Sequence, residues 1–302
     1  MVKISLYWQQ RIIVTIGIIC VSLAAIFVRL SQQEIDEITI GFSLFIASSR
    51  LIISALILTP IYGDLLTLKK DNSGIYFSLG AGICLGIHFA TWISSLGFTS
   101  VAASVSLVTT NPLWVALLSW WCLGKTLTRN TVIGISIAIV GSILIAFAQG
   151  DNSFGTNPLF GAILALMGSW FASGYILLGT LAQKKGVTTR QYIIIAYLTG
   201  ALCLLPLPLL FGINYFGYSF RVYFYLILMA IASQIIGHTS LNWGLKYFSP
   251  TTISLLILFE PVISSLFAWW LFKEVPTLFV IIGGFILLLG VGYSLIFRIN
   301  LT

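Results

Sequence analysis

Glu260 is the acidic residue set well inside an apolar stretch, in the run LLILFEPVISSLFAWW. A lone carboxylate in hydrocarbon is costly, so it must be paired, protonated or in contact with water. A group that can change charge inside a membrane suits a proton carrier. Arg50, in FIASSRLIISALI, is the basic residue set equally deep, and it could pair with Glu260, hold an anionic group or snorkel. Glu260 precedes Pro261, and the same step of a polar residue and a proline occurs as Asn111-Pro112. Proline has no N–H to bond the carbonyl four residues back, which leaves Val108 and Ile257 with carbonyls to satisfy. A kink at Pro112 and at Pro261, lining a polar cavity, would supply the partner.

Gln234, His238 and Asn242 follow one another at i, i+4 and i+8, a polar stripe on one face of an otherwise apolar helix, and His88 and Trp92 share a face in the same way. Trp170 and Tyr175 add aromatic surface. Arg50, His88, Trp92, Asn111, Trp170, Tyr175, Gln234, His238, Asn242 and Glu260 form the candidate substrate-binding lining. With two charges among neutral polar and aromatic groups, it suits a zwitterion or a neutral solute with an apolar part. A multiply charged phosphate would want clustered Arg or Lys for bidentate contacts.

Enzymatic chemistry finds no footing. The two histidines are far apart without HxxxH or carboxylate company, no Ser, His and Asp set is visible, and there is no GxxxxGK[ST] loop for a nucleotide. No metal and no cofactor are expected. Cys20, Cys84, Cys122 and Cys203 lie in or beside apolar runs and read as small buried hydrophobes.

The elements that position these residues must be membrane helices. Of 302 residues, 59% are hydrophobic and 8% charged, against roughly a quarter charged in soluble domains. The basic residues behind the net charge of +7 are scattered between apolar runs with no aromatic-interleaved patch, which argues against nucleic acid as a partner. Apolar runs and their Gly, Pro and charge punctuation predict ten helices, at about 11–30, 41–62, 74–97, 101–122, 131–149, 159–182, 190–212, 220–245, 250–272 and 277–298. The first reads as a span rather than a signal peptide, since no small-x-small cleavage site follows it. With the N-terminus inside, eleven Lys and Arg fall on inner segments, Lys125 and Lys246 among them, against Arg29, Arg221 and Lys273 in outer loops. That bias predicts cytoplasmic N- and C-termini.

NPLWVALLSWW and EPVISSLFAWW share a layout. Pro112 and Pro261, Trp120-Trp121 and Trp269-Trp270, Gly134 and Gly283, and Gly141 and Gly290 all recur 149 residues apart. Five predicted helices separate each position from its counterpart, and an odd number inserts the second copy upside down. The expected fold is therefore all-α and integral to the membrane, ten transmembrane helices as two inverted five-helix repeats over 1–150 and 151–302. That plan is common to secondary transporters, with the site near mid-membrane where the repeats meet. The tryptophan pairs read as interfacial anchors at opposite membrane faces.

The chain resembles the EamA family of the drug/metabolite transporter superfamily. The resemblance rests on SLAAIFVRL, SSRLIISALILTP, and the repeated SVAASVSLVTTNPLWVALLSWWCLGKTLT and SPTTISLLILFEPVISSLFAWWLFKEVPT, each followed by a glycine-spaced helix. The family's usual acidic residue after each Trp-Trp end stands here as Glu274 in the second copy, whereas the first copy has Lys125. The resemblance implies a ten-helix inner-membrane carrier of small metabolites, often outward, without naming the solute. The expected partners are a small-molecule substrate, membrane lipid and a coupling proton, with a homodimer allowed. The alternative is a non-transporting membrane sensor or partner subunit.

Overall fold

The computed structural model of the protein describes residues 6–69, 72–123, 128–146, 156–248, 253 and 256–299. Among them every regular element is helical. Seven helices are long and apolar enough to cross a bilayer: Trp8–Gln32, Ile40–Ile57, Gly74–Ser95, Val101–Leu118, Pro158–Lys184, Thr189–Leu210 and Phe220–Gly244. Arg129–Ile145 and Leu278–Tyr293 are shorter apolar helices.

In chain order the elements are α1 (Leu6–Ser22), α2 (Ala24–Gln32), α3 (Ile40–Ile57), α4 (Gly74–Ser95), α5 (Val101–Val108), α6 (Asn111–Leu123), α7 (Arg129–Ala146) and α8 (Pro158–Lys184). There follow α9 (Thr189–Leu204), α10 (Leu207–Leu210), α11 (Phe220–Leu228), α12 (Thr239–Gly244), α13 (Glu260–Phe272) and α14 (Leu278–Ile299). Met229–His238, between α11 and α12, is wound as a π-helix. Local sequence explains several ends. Thr39 and Ser100 cap α3 and α5 through their hydroxyls, and Asn157 caps α8 with Pro158 at its first turn. Thr188 and Gln191 close a reciprocal capping box at the start of α9.

Three expectations change. The second predicted helix stops at Ile57 and tightens into a 3-10 segment, Thr59–Thr67, at Pro60. The fourth does not kink at Pro112 but is interrupted: α5 ends at Val108, Thr109 and Thr110 turn, and α6 begins at Asn111. The ninth is interrupted in the same way, with Leu258 and Phe259 turning before Glu260 opens α13. Its predicted start at 250–252 lies outside the described residues. A proline in the first turn of a new helix costs nothing there, because the N–H it lacks would be unpaired anyway. A proline mid-helix would clash with the preceding turn.

The buried core runs through α2, α3, α4, α8 and α9, with Phe42, Phe45, Phe89, Tyr192 and Tyr197 almost fully enclosed. Trp120, Trp121, Trp269 and Trp270 are all exposed near the ends of α6 and α13, where the amphipathic ring suits an interface. The helices α7 and α14 pack backbone to backbone. A Cβ at Gly141 would lie 2.5 Å from the Leu287 nitrogen and 2.6 Å from the Gly283 oxygen, and one at Gly290 would lie 2.5 Å from the Ala138 nitrogen and 2.7 Å from the Gly134 oxygen. Because Gly134 meets Gly290 while Gly141 meets Gly283, the two helices run antiparallel. Gly141→Ala is therefore expected to cost about 1–3 kcal/mol through overpacking. Gly292→Ala on α14, with nothing within 4 Å, should be near neutral. Equal denaturation midpoints for the two variants would contradict this contact.

Candidate functional site

The two interruptions face one cavity. Its wall takes Val21 and Ala24 from α1 and α2, His88 and Trp92 from α4, Val108, Thr109 and Asn111 from the first break, and Ala172, Tyr175 and Ile176 from α8. His238, Leu241, Asn242, Ile253, Ile257 and Glu260 complete it from the other side. The cavity measures about 80 Å³ to the centre of a water-sized sphere, several times the ~10–15 Å³ that one water needs. It can hold several waters or a small solute.

Side-chain hydroxyls bond backbone carbonyls beside each break. The Thr109 hydroxyl donates to the carbonyls of Val105 (2.9 Å) and Ser106 (3.1 Å), and the Thr110 hydroxyl to that of Leu107 (2.7 Å). Ser173 on α8 donates to the Asn111 carbonyl at 3.0 Å. After the second break, the Ser264 hydroxyl returns to the Glu260 carbonyl at 2.7 Å. Asn111 and Glu260 thus each stand in the first turn of a helix that starts at the cavity, where unpaired N–H groups favour negative charge.

Seven predicted lining residues meet on the cavity: His88, Trp92, Asn111, Tyr175, His238, Asn242 and Glu260. Their orientations are fixed by neighbours. His88 Nδ1 donates to the Gly168 carbonyl at 2.9 Å, and its ring stacks parallel to Trp92 at 6.0 Å. Asn242 Nδ2 donates to the Tyr175 hydroxyl at 2.6 Å, and Tyr192 donates to the Tyr175 carbonyl at 3.3 Å.

Arg50 and Gln234 lie one layer behind. Both are fully buried, Arg50 Nε donates to Gln234 Oε1 at 2.9 Å, and the guanidinium sits 4.0 Å over the Phe89 ring, a cation–π contact. Phe89 in turn meets His238 edge-on at 5.6 Å. Among the described residues no ion pair joins Arg50 and Glu260 within 4.0 Å, the ion pairs being Arg29–Glu274, Arg190–Asp64 and Arg221–Glu34. Both Nη atoms of Arg50, Gln234 Nε2, Trp92 Nε1 and Asn111 Oδ1 are buried without a hydrogen-bond partner, a concentration of unmet groups that calls for water or ligand.

Trp170 departs from the expected lining. It is 45% exposed with its ring against Trp114 and Phe171. Five residues separate it from Tyr175, which sets the two about 140° apart round an α-helix. Arg29, counted with an outer loop by the charge pattern, lies in α2 and is buried against Glu274 at 3.5 Å. Phe89 and Thr109 were missed by the sequence reading. An apolar ring carries no signal of its role, whereas a Thr-Thr pair just before Asn-Pro could have been read as caps for a helix break.

The decisive comparison is with a family model, the EamA-like transporter family, which matches residues 11–147 and again 159–296. The chain belongs to this family. Among EamA relatives, an uncharacterized transporter of Archaeoglobus fulgidus is 21% identical over 88% of this chain and 90% of its own length. The uncharacterized transporter YdfC of Bacillus subtilis is 25% identical over 84% of this chain and 79% of its own length. A solved crystal structure at 16% identity superposes with a TM-score of 0.64 over 97% of this chain and 98% of that one, which shows a shared fold. As an EamA protein with several apolar spans, the chain is a multi-pass membrane transporter. Family membership agrees with a transport role rather than enzymatic chemistry.

Proposed function

We propose that this protein is a secondary transporter that exports small metabolites, amino acids or related amphipathic solutes, by alternating access coupled to protons. The observation that carries the reading is the pair of interrupted helices: Asn111-Pro112 and Glu260-Pro261, equivalent at the 149-residue offset, open α6 and α13 and turn their polar side chains to one cavity. Interrupted helices at mid-membrane are tolerated where they line a site.

The ten-helix, two-repeat plan over 1–150 and 151–302 draws support from three sources. The family model fits twice. The contact of Gly141 with Gly283 maps onto that of Gly290 with Gly134 when the repeats are exchanged. The packing of α4 on α8 has its counterpart in that of the π-helical segment on α1. The bias of Lys and Arg supports an inner-membrane setting with both termini cytoplasmic.

An amino acid suits the lining. Arg50, in the layer behind the wall over Phe89, and Glu260, on the wall, are opposite charges with no ion pair between them, so a carboxylate and an ammonium can be taken up between them while the side chain meets Trp92 and Tyr175. A thermal-shift screen of purified protein against amino acids, nucleosides, amphiphilic amines and sugar phosphates tests this. A ligand at 100 times its Kd adds about 2.7 kcal/mol of stability, and an amino acid is expected to raise Tm. Stabilisation by sugar phosphates with none from amino acids would overturn the substrate class.

A further inference from the structure

Arg29 and Glu274 form an ion pair away from the cavity described above. Arg29 Nη2 stands 3.5 Å from Glu274 Oε2, and both side chains are more than nine-tenths buried. Arg29 also donates to the carbonyls of Leu96 (2.8 Å) and Thr99 (3.1 Å), and Glu274 Oε1 accepts from the backbone N–H of Val101. The pair therefore ties together the end of α2, the turn from α4 to α5, and the segment from α13 to α14. These pieces meet at one end of the bundle.

The first two lie just beyond the cavity wall, and Glu274 is joined to the second through the Val101 N–H. At 1.5 Å rise per residue, Arg29 is about 7.5 Å along the helix from Ala24, Leu96 about 6 Å from Trp92, and Val101 about 10 Å from Val108. Ala24, Trp92 and Val108 are cavity residues. At the opposite end the wall continues through Leu245 and Ile253. We propose that the Arg29–Glu274 pair is a latch that closes the outer end of the cavity and releases as the carrier turns outward. The proposal rests on the transporter reading and on the orientation with both termini inside.

Two features favour a latch over a permanent staple. The closing layer is polar and incompletely satisfied: Arg29 Nε and both side-chain polar atoms of the neighbouring Gln32 are buried with no hydrogen-bond partner. Water entering as the layer opens would satisfy them, which lowers the cost of parting. The device is also one-sided. At the 149-residue offset, Arg29 corresponds to Leu178 and Glu274 to Lys125, so the repeat carries no Arg–Glu pair to the inner end, and the ion pair there among the described residues, Arg190–Asp64, is exposed rather than buried. A latch at one end biases a two-state carrier toward the state open at the other, here the one that receives solute from inside.

The experiment uses the full-length protein with its native cysteines replaced and one cysteine introduced by Ala172→Cys on the cavity wall. A charged, membrane-impermeant thiol reagent is applied from each side of oriented vesicles. With the latch intact, labelling is expected from the inner side. Glu274→Gln and Arg29→Gln should each raise the outer rate about tenfold and lower the inner rate, as a population shift requires. Arg29→Lys, which keeps the charge but loses the fork, should fall between. Unchanged labelling in both glutamine variants overturns the latch, and so does a rise from both sides together, which marks lost packing. If Glu274→Gln shifts labelling outward while no solute is exchanged by the parent protein, the latch stands and the transporter reading fails.

Discussion

Glu260→Gln is expected to leave the protein folded, to weaken solute recognition through the lost ammonium partner, and to abolish the dependence of the remaining exchange on a pH gradient. Glutamine matches glutamate in size, so packing at the start of α13 is kept. What is lost is the ability to carry charge or a proton. A structural glutamate would be held by hydrogen bonds to its carboxylate, whereas among the described residues no donor bonds that of Glu260. Glu260 lines the cavity instead, and its backbone carbonyl accepts from the Ser264 hydroxyl. An acid on the cavity wall can take a proton from one side and surrender it to the other. Asn111, its counterpart at the first break, cannot ionise, and Asn111→Ala should leave the pH dependence in place. Proteoliposome uptake with and without an imposed pH gradient decides the matter. Unchanged pH dependence in Glu260→Gln would make the residue structural.

Arg50→Gln should weaken solute recognition by about thirtyfold or more, since truncating one member of a buried charge pair costs about 2–5 kcal/mol. Nε is oriented by Gln234 and the guanidinium lies 4.0 Å over the Phe89 ring, so its Nη edge is set in place before solute arrives. Trp170→Phe, at an exposed ring outside the cavity, should change recognition little. Arg50→Lys keeps the charge but not the planar fork and should recover part of the affinity. The apparent KM for solute exchange reads this directly. An unchanged KM in Arg50→Gln would remove Arg50 from the site.

The membrane class and the helix sequence were legible because apolar runs of span length leave few alternatives, and the residues at Asn111-Pro112 and Glu260-Pro261 stood out because polar groups in such runs are expensive. The outcome at the prolines was not legible. A kink and a break begin from the same missing N–H, and spacing alone does not say which one forms; here the Thr109 and Thr110 hydroxyls fold back onto the last turn of α5, at Val105, Ser106 and Leu107. The polar stripe at Gln234, His238 and Asn242 was found from helical spacing. The π-helical winding of Met229–His238 leaves no signature in the pattern, and spacing did not show that Gln234 bonds Arg50 while His238 and Asn242 line the cavity. Trp170 shows the opposite error, since an aromatic in an apolar helix fits a lining and a lipid-facing surface equally well. Arg29 was misplaced because a basic residue near a span end reads as a loop charge, and its partner lies 245 positions away along the chain.

Counterflow in proteoliposomes tests the central claim most directly. Vesicles containing the wild-type protein are loaded with unlabelled amino acid and diluted into a trace of labelled amino acid, with nucleoside and sugar phosphate run in parallel. A secondary carrier with a shared central cavity predicts transient, saturable accumulation of the labelled amino acid without ATP, absent from protein-free vesicles. No accumulation of any of these solutes by folded, correctly inserted protein would contradict the account.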